Sequence, residues 1–226
     1  MTNLRQQLIE PLALRLRGSR ARLALLKPLL ASDNVLRRWI AFFASENALH
    51  PKHRLMNYHQ FFIDNVRPAD TVLDIGCGGG HVAIDVAQTA KEVVGIDISG
   101  RYLAAARRYR SQPNLTFVQG DATTYRFGRT FDVAILSNVL EHLIDRVGFL
   151  HHIRPLARLF LIRVPMLDRD WIPLLKKELG IEYRLDPTHT IEYTERDFRA
   201  ELDSAAFIIA KLSIRFGEIY CVAHPR

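Results

Sequence analysis

Apolar residues in this chain keep two rhythms, and the changes between them predict its elements. From residue 71 on, short runs rich in Val, Ile, Leu and Phe, at 71–75, 92–97, 115–119, 131–137 and 159–164, punctuate the chain. They alternate with stretches whose apolar positions recur at helical spacing, at 80–90, 100–111 and, further on, 194–205. Continuous apolar runs predict strands buried on both faces, and their alternation with helices predicts a mostly parallel sheet. Two final runs, about 207–214 and 217–223, are joined tightly and predict an antiparallel hairpin closing the sheet.

Ahead of this alternation, residues 3–30 read as one or two basic, leucine-rich helices interrupted near Gly18-Ser19. Residues 34–45 predict a better helix, with Asp33 as its N-cap and Val35, Leu36, Trp39, Ile40 and Phe43 on one face. Residues 52–66 predict another, with Leu55, Met56, His59, Phe62, Ile63 and Val66 at helical spacing. The alternation stops between 165 and 192, where Asp168, Asp170, Trp171, Lys176, Tyr183, Asp186, His189 and Glu192 gather. Such a polar and aromatic stretch suits a substrate lid. The chain therefore reads as a helical basic extension, 1–51, and one α/β domain, 52–226, with the lid at 165–192.

The first strand ends in Asp74-Ile75-Gly76-Cys77-Gly78-Gly79-Gly80-His81. Glycines at 76, 78 and 80 allow a tight strand-to-helix turn and let a ligand approach bare backbone at the positive end of the next helix. A dinucleotide enzyme would place its third glycine where His81 stands, and the Asp74 carboxylate would repel a pyrophosphate. A carboxylate belongs instead beside a cationic ligand. Asp97 ends the next strand 21 positions after Gly76, the separation at which a carboxylate accepts both hydroxyls of a ribose.

These motifs resemble those of class I S-adenosylmethionine (SAM)-dependent methyltransferases, in order over roughly residues 52–223. The resemblance implies a Rossmann-like class I sheet, mostly parallel with a C-terminal antiparallel hairpin, plus the N-terminal helical extension. It places the cofactor, converted to S-adenosylhomocysteine, against Asp74, Gly76, Cys77, Gly78 and Gly80, with the ribose at Asp97 and Ile98. Asp121 would take the adenine amino group and the Ala122 amide a ring nitrogen, while Ser137 and Asn138 face the methionine moiety and the acceptor. Arg54, on the covering helix, would pair with the methionine carboxylate. Ser137-Asn138-Val139-Leu140 does not match the Asp/Asn-Pro-Pro-aromatic motif of enzymes that methylate DNA bases. Quinone-pathway O-methyltransferases can show Glu-x-x-Glu-His, suited to a divalent ion; here Asn138 replaces the first Glu, and no metal is expected. His142 and His189 are the candidate bases, with Glu192 third.

Composition adds bounds. The 226 residues are 48% apolar, enough for a large core, and no uncharged apolar run is long enough to span a bilayer. Arg5, Glu10, Pro11, Arg15 and Arg17 break up any signal-peptide core, and the two cysteines, Cys77 and Cys221, form no metal pattern. A reduced, cytoplasmic protein is expected. Of the net charge of +7, nearly all lies in residues 1–40, where eight basic residues face only Glu10 and Asp33. The near-neutral remainder argues against a nucleic-acid track. The basic segment reads either as a helical cap with solvated arginines or as a surface for an anionic membrane or acidic partner. The expected acceptor is a small molecule offering an oxygen nucleophile, such as a sugar or another secondary-metabolite or lipid-like hydroxyl. The alternatives are a methyltransferase for RNA or protein and a SAM-binding module without turnover.

Overall fold

The computed structural model describes residues 20–45 and 49–226. The expected helices before residue 20 and the break at Gly18-Ser19 lie outside the described residues. The chain divides into two compact units, one of residues 1–51 with 171–185, the other of 52–170 with 186–226.

The larger unit is a seven-stranded sheet. Its strands are β1 (Thr71–Ile75), β2 (Glu92–Asp97), β3 (Leu115–Gln119), β4 (Phe131–Ser137), β5 (Ala157–Pro165), β6 (Phe207–Arg215) and β7 (Glu218–Pro225). They lie in the order β3-β2-β1-β4-β5-β7-β6. The first five pair in parallel, and β7 pairs antiparallel with both β5 and β6. The parity of each strand explains why the runs lack polar alternation. Leu73, Ile75, Leu136 and Ile162 enter one core with Tyr193 and Phe198. Val72, Val133, Ile135 and Leu161 enter a second core on the other face, with Phe62, Leu103 and Tyr220.

Successive strands run outward from β1 to β3, then the chain returns to place β4 on the other side of β1. The reversal opens a crevice at the carboxyl ends of β1 and β4, where ligands of such sheets bind. Helices α4 (His81–Val86) and α5 (Gly100–Tyr109) follow β1 and β2, α6 (Arg146–Ile153) precedes β5, and α8 (Glu195–Ser204) precedes β6. The expected helix over 52–66 is two short ones, α2 (Lys52–Met56) and α3 (His59–Ile63). Between them Asn57 adopts φ 44°, a left-handed conformation that Asn tolerates better than most residues and that ends a helix.

The smaller unit contains α1 (Arg20–Ala44) and α7 (Trp171–Glu178), the latter inside the stretch expected as a lid. The helix expected to start after Asp33 runs straight through it. Ser32 Oγ donates back to the Leu29 carbonyl at 2.8 Å, and the Asp33 carboxylate accepts from Arg37, one turn on, at 2.9 Å. Asp33 also accepts from Lys176 Nζ of α7 at 2.6 Å, so it serves a lateral contact rather than a cap.

Candidate functional site

The turn after β1 is built from three glycines with different tasks. Gly76, Gly78 and Gly80 all have positive φ, at 67°, 51° and 75°. A Cβ on Gly76 would stand 2.8 Å from Val139, and one on Gly80 would stand 2.6 Å from the Phe117 ring. Those two positions are closed by packing. A Cβ on Gly78 would meet nothing within 4 Å, so this glycine alone presents bare backbone to open space. The Gly76 and Cys77 amides donate to the Ile96 carbonyl at 2.8 and 3.0 Å, which ties the turn to β2.

The carboxylate of Asp97 is fixed across the crevice. Its Oδ2 accepts from the Gly78 amide and its Oδ1 from the Ser99 amide, both at 2.8 Å. Beside it Ile98 is 68% exposed, an apolar face at the end of β2 where a flat ring would stack. At the end of β3, Asp121 is exposed, and its Oδ1 accepts from the Thr123 amide and hydroxyl, which hold the carboxyl below its usual range. Ala122 is half-buried against the first core. Cys77 is buried and its thiol is pushed up by burial.

Asp74 is buried under this turn, and its Oδ2 has no hydrogen-bond partner. Burial, and then the Asp97 charge, push its carboxyl up to about 8. A buried, unpartnered carboxylate oxygen is satisfied by a cation, and the bare backbone of Gly78 leaves room for one. The residues therefore fit SAM, whose sulfonium and ammonium are both positive.

The carboxyl ends of β4 and β5 carry a second polar group. Register sets Ser137 beside Arg163. The Arg163 guanidinium is 1% exposed, lies 3.6 Å from the centroid of the Tyr58 ring and pairs with Glu218. Its Nη1 donates to Asn138 Oδ1 at 2.5 Å and reaches Ser137 Oγ at 3.3 Å, while its Nη2 has no partner. Asn138, at φ 59°, donates from Nδ2 to Glu141 Oε1 at 2.7 Å. Glu141 is fully buried, its Oε2 lacks a partner, and burial pushes its carboxyl up to about 7 against the pull of Asn138, His189 and Arg163.

Residues 186–192 are clasped onto this end of the sheet by the Thr190 amide, which donates to the Glu141 carbonyl at 2.7 Å. The clasp brings the two candidate bases together. The rings of His142 and His189 are 4.7 Å apart and perpendicular, and Thr188 Oγ1 lies 2.9 Å from His142 Nδ1. Burial, and then His189, keep His142 below its ordinary range, so it is neutral at pH 7. Glu192, the third candidate, pairs with Arg169 and lies 3.4 Å from His189 Nδ1. Donor atoms of Glu141, His142 and His189 all lie within 4.8 Å of one another, a spacing that one divalent ion could bridge.

Arg54 is exposed on α2. Its neighbour Lys52 is the residue held near Arg163, Glu218 and Glu141, with burial and then the Arg163 charge pulling its ammonium down. Sequence reasoning passed over Tyr58 and Arg163. A signal for Arg163 did exist: one guanidinium inside an otherwise apolar strand run demands a buried partner.

Comparison with known proteins agrees with this geometry. The model of the methyltransferase domain matches residues 72–158. The chain is 33% identical over 90 residues to the ubiquinone biosynthesis O-methyltransferase of Cereibacter sphaeroides, an alignment covering 38% of this chain and 36% of that one. It is 26% identical over 166 residues to the Proteus mirabilis protein of the same name, covering 68% of this chain and 65% of that one. The chain thus spans about a third of the length of the first curated relatives it matches. Magnesium protoporphyrin IX methyltransferase from Synechocystis, solved with bound S-adenosylhomocysteine, superposes with a TM-score of 0.62 at 23% identity, over 90% of this chain and 99% of that one. By its turn after β1 and its sheet order the chain has the fold of the class I SAM-dependent methyltransferases, and residues 72–158 match a methyltransferase domain.

Proposed function

We propose that this protein transfers the methyl group of SAM to a hydroxyl oxygen of a small molecule. One observation carries the reading. Among the described residues, three buried side-chain atoms lack a hydrogen-bond partner, Asp74 Oδ2, Glu141 Oε2 and Arg163 Nη2, and all three belong to the carboxyl edge of β1, β4 and β5. Buried polar atoms are otherwise almost always satisfied, so a cluster of exceptions marks groups awaiting a ligand. The O-methyltransferase names of the relatives support an oxygen acceptor.

SAM supplies an electrophilic methyl and departs as a neutral thioether. The chain's own residues must hold the two reactants in line, exclude water and accept one proton. Asp74 neutralises positive charge below the turn, Asp97 holds the sugar, and Tyr58 with Arg163 walls the far side. As the oxygen–methyl bond forms, the hydroxyl proton passes to neutral His142, beside His189 and Glu141.

Titration calorimetry with SAM tests the cofactor half of the reading. Binding to the native chain and none to Asp97→Ala supports it; no heat with the native chain overturns it. Transfer of labelled methyl to a panel of catechols and sugars, lost in His142→Ala with SAM binding intact, supports the acceptor half. The 4.8 Å spacing of Glu141, His142 and His189 favours a second reading, in which a divalent ion lowers the pKa of the hydroxyl. Transfer abolished by a chelator and restored by magnesium would select it over direct proton transfer to His142.

A further inference from the structure

Among the described residues, one face of helix α1 is bonded within its unit and the other is exposed. One face carries Leu30, which is buried, Leu26, half-buried, and the pair Asp33 and Asn34. Lys176 Nζ binds Asp33 Oδ2 at 2.6 Å and Asn34 Oδ1 at 2.7 Å, and Asn34 Nδ2 donates to the Glu182 carbonyl at 2.8 Å. That inner face accounts for the packing of the helix. The other face carries Leu25, Leu29, Val35, Leu36, Trp39, Ile40, Phe42 and Phe43, each between 52% and 76% exposed.

At about 100° per residue, these eight side chains fill an arc of about 160°. Between its edges the arc also holds Ser32, whose hydroxyl is turned back onto its own helix. Arg22 lies along one edge of the arc; Arg38 flanks the other, about 40° beyond it, and Lys27 stands about 60° beyond, on the same side. The single acidic residue of the helix, Asp33, lies on the inner face and is taken up by Arg37 and Lys176. Trp39, Phe42 and Phe43 form one aromatic cluster, with centroids 5.3 to 6.0 Å apart.

We propose that this outer face of α1 docks into the surface of an anionic lipid bilayer. A wide apolar arc bordered by cations and bearing Trp and Phe is the composition of a helix that lies in the plane of a membrane. No helix of the described residues is long and apolar enough to cross one, so the helix lies on the bilayer. Charge selects the occupant. Anionic headgroups complement both cationic edges, whereas a second copy would bring like charges against each other. Arg5, Arg15 and Arg17, earlier in the sequence, add to the same electrostatic attraction.

The test uses the full chain and sedimentation with vesicles of phosphatidylcholine, with or without 30% phosphatidylglycerol. The expected result is partition onto the anionic vesicles, at least about tenfold weaker onto the neutral ones, and reduced by salt. Trp39→Ser with Phe43→Ser is expected to remove association by more than about tenfold. Lys27→Gln with Arg38→Gln is expected to lower it about 25-fold, on about fivefold per basic residue. All four substitutions are at exposed positions, and unchanged thermal melting confirms the fold. In a Trp171→Phe background, Trp39 fluorescence shifts to the blue on anionic vesicles. Absence of binding to anionic vesicles, equal binding to neutral ones, or binding unaltered in Trp39→Ser with Phe43→Ser overturns the proposal. So does a dimer in sedimentation velocity that the same variant dissolves while vesicles go unbound.

Discussion

Asp74 and Arg163 are an acid and a base brought to the carboxyl ends of the parallel strands, and each is left with one unsatisfied atom. For Asp74 this makes cofactor affinity depend on pH. Burial and the Asp97 charge push its carboxyl up to about 8, and a neighbouring sulfonium or ammonium lowers it, so binding at neutral pH expels a proton. Affinity for SAM therefore rises as pH increases from about 6 to 8 and levels off above, the sign expected when the complex binds fewer protons than the free protein. Calorimetry in two buffers of different ionisation enthalpy reads the proton directly, and Asp74→Asn flattens the profile. His142 makes the complementary prediction: His142→Ala lowers kcat about 10²- to 10⁴-fold while the SAM Kd stays within about threefold. The carboxylates were legible because their spacing from the glycines is itself the message. Glu141 and Arg163 were harder to place, because what matters in Glu141 is its complete burial and in Arg163 its burial beside Glu218 of a distant strand, and spacing along the chain encodes neither.

At the scale of the element, the turn after β1 separates what packing requires from what a ligand requires. Gly80→Ala drives a Cβ into the Phe117 ring at a φ that L-residues disfavour, and is expected to lower Tm by about 4–8 °C. Gly78→Ala carries the backbone strain alone, an effect of about 1 kcal/mol, and its Cβ enters open space. Its expected signature is a Tm lowered by about 2–4 °C together with SAM affinity lost by more than tenfold. Scanning calorimetry and ligand titration on the two variants tell these apart; equal effects on both quantities would contradict the division. Elements with a strong period were read well, as in the five parallel strands. Those decided by one residue were not: Asn57 divides the covering helix, and Asp33 is an interior residue of α1 because Lys176, 143 positions away, occupies its carboxylate.

In the molecule as a whole, protection against amide exchange is expected to follow position in the sheet. The central β1 and β4 are buried on both faces, whereas the edge strands β3 and β6 are largely half-buried or exposed. Mass-resolved hydrogen exchange should find the slowest amides in β1, β4 and β5 and the fastest strand amides in β3 and β6. The hydropathy rhythm sufficed for the parallel sheet and its closing hairpin. The grouping of 171–185 with the N-terminal residues came from lateral contacts such as Lys176 to Asp33 and Asn34, to which local periodicity is blind.

The placement of β7 has a kinetic corollary. The seventh strand in sequence is not the outermost but slots between β5 and β6, carrying Glu218 to the guanidinium of Arg163. The inner place of β5 in the sheet is therefore completed only when β7 enters, and the ion pair between neighbouring strands helps to fix that entry. Glu218→Gln, which leaves the buried guanidinium without its counter-ion, is expected to slow refolding in stopped-flow fluorescence.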